Sequence, residues 1–195
     1  MKTEKVQKIN WGYLLGYILG PALVAGLSIL LGSKLFTEGG TGAVVCFMVV
    51  PIVAVLFYIV AGRLFYKAGV KKMEKAMDSQ GLTRNQTFNG RGCTVCVDLN
   101  KGMLGLAFFW NPFRQYIIPA SRVDKARVDD GGHGKGVMRG SSQVSFLFQV
   151  DAVTVRVYTF TSNRRWRMDS DYILTGISKA DKMVAVLEAA KSKAR

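Results

Sequence analysis

Two long runs without a charged residue constrain this chain more than any other feature. "WGYLLGYILGPALVAGLSILLG" (residues 11–32) holds 22 uncharged residues, and "GAVVCFMVVPIVAVLFYIVAG" (42–62) holds 21. About 20 apolar residues carry an α-helix across the hydrocarbon core of a bilayer, so both runs read as membrane spans. Each contains one proline, Pro21 and Pro51, which a bilayer helix accommodates as a kink. A buried helix pair in a soluble protein is the alternative, and uncharged runs of this length argue against it.

The flanks predict an orientation. Lys2, Lys5 and Lys8 precede the first run, and Arg63, Lys67, Lys71, Lys72 and Lys75 follow the second. The connecting "SKLFTEGGT" carries one lysine and one glutamate. The positive-inside rule then puts both termini in the cytoplasm and the short loop outside. A cleaved signal peptide over residues 1–26 is the competing reading. It fits less well, because the apolar run is longer than a usual signal core.

Gly12, Gly16 and Gly20 recur every four residues in the first run, along one face of a helix. Close backbone approach at small residues drives helix association in lipid. The stripe reads first as a packing surface against the chain's own second span, where Ala43, Ala54 and Ala61 are available. A seam between copies of the chain, in a homo-oligomer, is the other reading.

The net charge of +14 is concentrated behind the spans, where 23 Lys or Arg face 11 Asp or Glu from Arg63 onward. Such a surface favours polyanions or anionic lipid heads. Arg63, Lys67, Lys71 and Lys75 form a basic ridge on a helical continuation of the second run, and Leu64, Phe65, Ala68, Met73, Ala76 and Met77 give it a broad apolar face. "DSQGLTRNQTFNGRG", with Gly81, Gly90 and Gly92, reads as a linker. The expected organisation is a two-span hairpin over residues 1–62, a basic juxtamembrane helix and linker over 63–92, and a cytoplasmic domain over 93–195.

From Cys93 the apolar period changes to two. "CTVCVDL", "MLGLAFFW", "RQYIIP", "SRVDKARV", "SQVSFLFQV" and "AVTVRVYTF" read as strands, with "YILTGI" as a last short one. "DDGGHGKGVMRGSS" is a glycine-rich loop. A C-terminal amphipathic helix follows Ser178 as N-cap, with Ala180, Met183, Val184 and Leu187 on its apolar stripe.

Six or seven antiparallel strands closed by one C-terminal helix resemble the bacterial PH-like domains found behind membrane hairpins in small inner-membrane proteins. "VDLNKG" is similar to a strand ending in D-x-N in that family, and "IIPASRV" resembles its "ii-S-d-I" run. The resemblance covers Cys93 to about Ala190 and implies an α+β cytoplasmic domain built as a PH-like barrel. The "GGHGKG" insertion and the weak last strand depart from the pattern.

Enzymatic chemistry has little to stand on. Cys93 and Cys96 form one CxxC with no second pair, and His133 is the single histidine, so Cys and His alone cannot complete a four-ligand zinc site. The glycine-rich loop lacks the G-K-[ST] of a phosphate loop. His133 inside it has no frame to hold it as a general base. Asp129 and Asp130 read as solvated turn residues. No enzyme activity, metal or cofactor is expected.

The interactive stretch is "NRRWRMDSDY", where Arg164, Arg165 and Arg167 flank Trp166, a composition suited to phosphates or lipid heads. A charged loop with Trp166 tucked against the domain is the plainer reading. Together these features predict a non-enzymatic inner-membrane protein that binds a membrane-protein partner, with anionic lipid heads as a secondary surface and nucleic acid a weaker partner. Size and layout also match exclusion or immunity factors carried on plasmids and phages, by analogy. An oligomeric channel or stress-responsive pore is the alternative, and the absence of charged positions inside either run speaks against it.

Overall fold

The computed structural model describes residues 5–36, 45–90, 92–130, 142–164, 166–167 and 169–194. The expectations placed on Ala43, on Arg165 and on the glycine-rich loop with His133 lie outside the described residues. Helix α1 spans Trp11–Phe36 with Pro21 inside it. A π-helical turn, Val45–Val49, leads into α2, Val50–Ser79. Pro51 has no amide to donate and its ring displaces the carbonyl four residues back, and a widened turn at that point accommodates both.

Both helices are long and apolar enough to cross a membrane, and only 6% and 11% of their most apolar windows are buried within the molecule. A core helix of a soluble protein would be mostly buried. Leu23, Leu30, Phe57 and Leu56 instead lie exposed along the hairpin.

The helices interlock through two reciprocal glycine–tyrosine contacts. A Cβ added at Gly62 would lie 2.5 Å from the Tyr17 ring, and one at Gly20 would lie 2.5 Å from Cζ of Tyr58. Each ring fills the space that a glycine leaves on the opposite helix. Gly16, by contrast, has nothing within 4 Å of such a Cβ, and the nearest neighbour of Gly12 is Asn10, in its own chain segment. Of the stripe, Gly20 alone faces α2.

Behind the hairpin, the described strands form two antiparallel sheets. Strands β1 (Gln86–Gly90), β2 (Cys93–Asp98), β3 (Met103–Phe108) and β4 (Asn111–Pro119) make a four-stranded meander. A 3-10 turn at Ala120–Arg122 leads to β5 (Val123–Asp129), β6 (Ser142–Val150) and β7 (Val153–Ser162) in a second, three-stranded sheet. Helix α3, Asp171–Lys193, ends the described chain.

The main core lies between the two sheets and α3, around Val95, Val97, Leu106, Phe108, Phe146, Phe148, Val155, Val157, Ile173 and Leu187. The sheets meet at a corner, where a Cβ on Gly90 would lie 2.8 Å from Val157 and the Cys93 thiol lies 3.4 Å from the Arg156 carbonyl. No strand ladder joins the two sheets among the described residues, so they form an open pair and the expected closed barrel is not seen.

Two further expectations change. Residues 86–90, read as linker, pair with β2 from Gln86 opposite Val97 to Gly90 opposite Cys93. The turn-forming letters around them are those of a short edge strand. "YILTGI" is the first part of α3, not a strand. Ile173, Gly176 and Ala180 are buried at helical spacing, and this tertiary packing overrides the strand preference of the local residues. The N-cap position is therefore Ser170, eight residues before Ser178, which lies inside the helix.

Candidate functional site

Helix α2 continues past the apolar run without a break and lies directly on the four-stranded sheet. A Cβ at Gly69 would lie 2.5 Å from the Pro112 carbonyl oxygen, and one at Gly105 would lie 2.5 Å from Sδ of Met77. Glycine on both surfaces brings helix and sheet backbones together. Met73 and Met77 are completely buried there with Cys96, Ala107 and Leu82 in a second apolar cluster. Tyr66 and Thr94 share a hydrogen bond of 2.8 Å across the same contact.

The opposite side of α2 carries Arg63, Lys67, Lys71 and Lys75, all exposed. At 1.5 Å rise per residue the ridge runs for about 18 Å. The carboxylates on this stretch, Glu74 and Asp78, are engaged by Arg84 at 3.5 and 3.3 Å. They lie beside the ridge without interrupting its four-residue spacing.

The chain before α1 docks on the same domain. The Val6 amide donates to Asp151 Oδ2 (3.2 Å), the Gln7 amide to Tyr116 Oη (3.1 Å) and the Asn10 amide to the Trp110 carbonyl (2.8 Å). Asn111 Nδ2 returns a bond to the Gln7 carbonyl at 2.8 Å. Val6 itself is buried in the main core. Both feet of the hairpin therefore stand on the sheet domain. Asp151, held by Arg122 at 2.6 Å, anchors this strap. The Arg122 guanidinium outweighs partial burial and, with the Val6 amide, keeps the Asp151 carboxyl below its usual range.

An aromatic layer fills the junction of hairpin and domain. Tyr17 meets Phe109 and Trp110 edge-on at 6.0 and 5.5 Å, and Tyr13 meets Phe113 at 5.5 Å. Trp11 and Phe113 project outward, 68% and 54% exposed. Exposed aromatic residues at the end of two apolar helices are of the kind that suits a bilayer–water interface.

The arginine-flanked tryptophan sits elsewhere and is folded back. The Trp166 amide donates to Ser142 Oγ (2.8 Å), its indole Nε1 donates to Ser162 Oγ (2.9 Å), and its ring packs 4.6 Å from Tyr172. Arg164 is exposed, and Arg167 pairs with Asp169 at 3.2 Å in open solvent.

Cys93 and Cys96 are free thiols on opposite sides of β2, one in the main core and the other under α2. Burial pushes the Cys93 thiol up to about 11 against the opposing pull of Lys8. Burial also raises Cys96. Neither has the lowered pKa of a reactive thiol. Among the described residues no group of three His, Cys, Asp or Glu is arranged to hold a metal.

Sequence reasoning missed the strap over Val6–Asn10 and its neighbours Asn111 and Arg114. Lys8 was visible only as a flanking charge, and no local pattern joins it to a residue on β4. Comparison with protein-family models, curated proteins and solved structures gives no match, so the reading of the site rests on its own geometry.

Proposed function

We propose that this is a non-enzymatic, two-span membrane protein with both termini in the cytoplasm. It presents a basic domain of PH-like strand order to a membrane-protein partner, with anionic lipid heads meeting only the base of the basic ridge. The observation that carries this reading is the rigid union of α2 with the sheet. The ridge leaves the membrane as a fixed rod about 18 Å long, whereas charges are screened beyond about 8 Å at physiological salt.

Arg63 and Lys67 fall within that distance of the end of the apolar run, and Lys71 and Lys75 fall outside it. The outer pair is thus poorly used by lipid and well placed for an acidic surface on a neighbouring membrane protein. Folding Trp166 against the domain makes its loop a weaker candidate for the same role.

A photo-crosslinking side chain at position 71 or 75, in native membranes, should give one discrete protein adduct. Reversing the other ridge charges to glutamate should abolish it, while flotation with anionic vesicles should fall mainly on changing Arg63 and Lys67. Loss of vesicle binding from the Lys71 and Lys75 variants, without a protein adduct, would overturn the assignment.

A further inference from the structure

The strap over Val6–Asn10 is held in the way a bound peptide is held. The hydrogen bonds described between it and the domain all end on its main chain. The Val6 amide donates to the Asp151 carboxylate (3.2 Å), the Gln7 amide to Tyr116 Oη (3.1 Å) and the Asn10 amide to the Trp110 carbonyl (2.8 Å). The Gln7 carbonyl accepts from Asn111 Nδ2 (2.8 Å). Of its side chains, Val6 enters the core at 3% exposure, whereas Lys5, Gln7 and Ile9 stay exposed. Main-chain bonds for affinity and one pocket for a side chain are how domains bind extended peptides while reading little of their sequence.

The strap also fills its seat incompletely. An open groove of about 590 Å³ remains beside it, reaching from Val6 to the first turn of α1 and the start of β4. Ile9 lines that groove and is still 36% exposed. Apolar surface left in water next to unfilled space means that a segment with a better-fitting side chain there gains burial that the strap does not.

We propose that this seat is a recognition site for an extended peptide segment, which the strap occupies in cis and a partner's segment takes in exchange. The segment it selects has a small β-branched residue at the Val6 position and free amides on that residue and the next. Three positions on, where Ile9 stands, it carries a larger apolar side chain. The membrane-protein partner proposed above would supply the segment, and on that point alone the inference rests on that reading. A tethered strap competes at an effective concentration on the order of millimolar. A soluble peptide therefore displaces it poorly, whereas a segment on a neighbour in the same membrane meets it on equal terms.

The full-length chain in detergent and a fluorescent peptide of the strap sequence, KVQKIN, provide the test. Val6→Gly in the protein weakens the strap without adding charge, and should raise affinity for the peptide roughly tenfold or more over the unaltered chain. Within the peptide, Val6→Gly or N-methylation of the Gln7 amide should abolish binding, while Lys5→Ala or Gln7→Ala should leave it unchanged. Should the protein variant lose its fold, hydrogen exchange on the unaltered chain decides. Exchange of the Val6 and Gln7 amides should quicken as peptide is added to millimolar levels, and that of β2 should not. Equal affinity of the two chains, binding that survives N-methylation, or strap amides indifferent to the peptide would overturn the proposal. Lys71→Glu with Lys75→Glu should leave peptide binding as it is, so that failure of the ridge and failure of the seat are told apart.

Discussion

At the scale of single residues, Asp98 shows how much one buried carboxylate can organise. It accepts the amides of Asn100 (2.7 Å), Thr83 (2.8 Å) and Lys101 (3.0 Å), and so ties the end of β2 to the segment that leaves α2. Burial pushes its carboxyl up, but the hydrogen bonds donated by these amides outweigh burial and leave it below its usual value. A carboxylate whose folded pKa is depressed stabilises the fold above its unfolded pKa, about 3.9. That stability is lost as pH falls through the lower folded value. Asp98→Asn should cost about 1–3 kcal/mol at pH 7. The difference from the unaltered chain should shrink as both are titrated below about pH 4, as read by thermal unfolding in detergent. The D-x-N letters of this turn stood out in the sequence. The far partner, Thr83, lay in a stretch read as linker, because nothing local shows that an amide 15 residues away closes the turn.

At the scale of elements, glycine positions decide which helix faces meet. The four-residue spacing of Gly12, Gly16 and Gly20 was plain in the sequence, but spacing alone cannot reveal which members of a stripe have a neighbour. Tyr17 and Tyr58, large residues on the opposing helices, pick out Gly62 and Gly20. Gly62→Leu and Gly20→Leu should each overpack the interlock and destabilise the hairpin by about 1–3 kcal/mol. Gly16→Leu should be nearly neutral, since open space surrounds it. Unfolding of the three variants in the same detergent checks this. A Gly16 variant as damaged as the other two would mean that a second copy of the chain covers that face. Helix α3 teaches the same lesson from the other side. Its first turns carry strand-forming letters, and only contact with β6 and β7, as at Gly176 beneath Phe160, makes them helical.

At the scale of the whole molecule, the four-stranded sheet is covered on both faces, by the second sheet and α3 on one and by α2 on the other. All six residues of β2 are buried for that reason. Alternation in "CTVCVDL" exposed the first face to reading. The second was concealed, because its partners Met73 and Met77 belong to what looked like a separate juxtamembrane helix. The basic ridge was legible for the converse reason: its residues repeat on one helix, whereas the strap joins residues more than a hundred positions apart. Helix α2 and the sheet therefore share one core, with a consequence for dissection. A fragment beginning at Cys93 lacks β1 and leaves Cys96, Ala107 and Ile117 uncovered. It also forfeits the burial of two methionines, worth about 1.5–3 kcal/mol each. Against the few kcal/mol by which ordinary domains are stable, that loss should leave the fragment aggregated or molten, with strong binding of an apolar dye and no cooperative unfolding. A fragment beginning at Gly62 retains the lower half of α2, β1 and the complete second cluster, and should unfold cooperatively. Equal behaviour of the two fragments would show that α2 merely rests on the sheet, and a ridge loosely attached in that way could not project from the membrane as a rod.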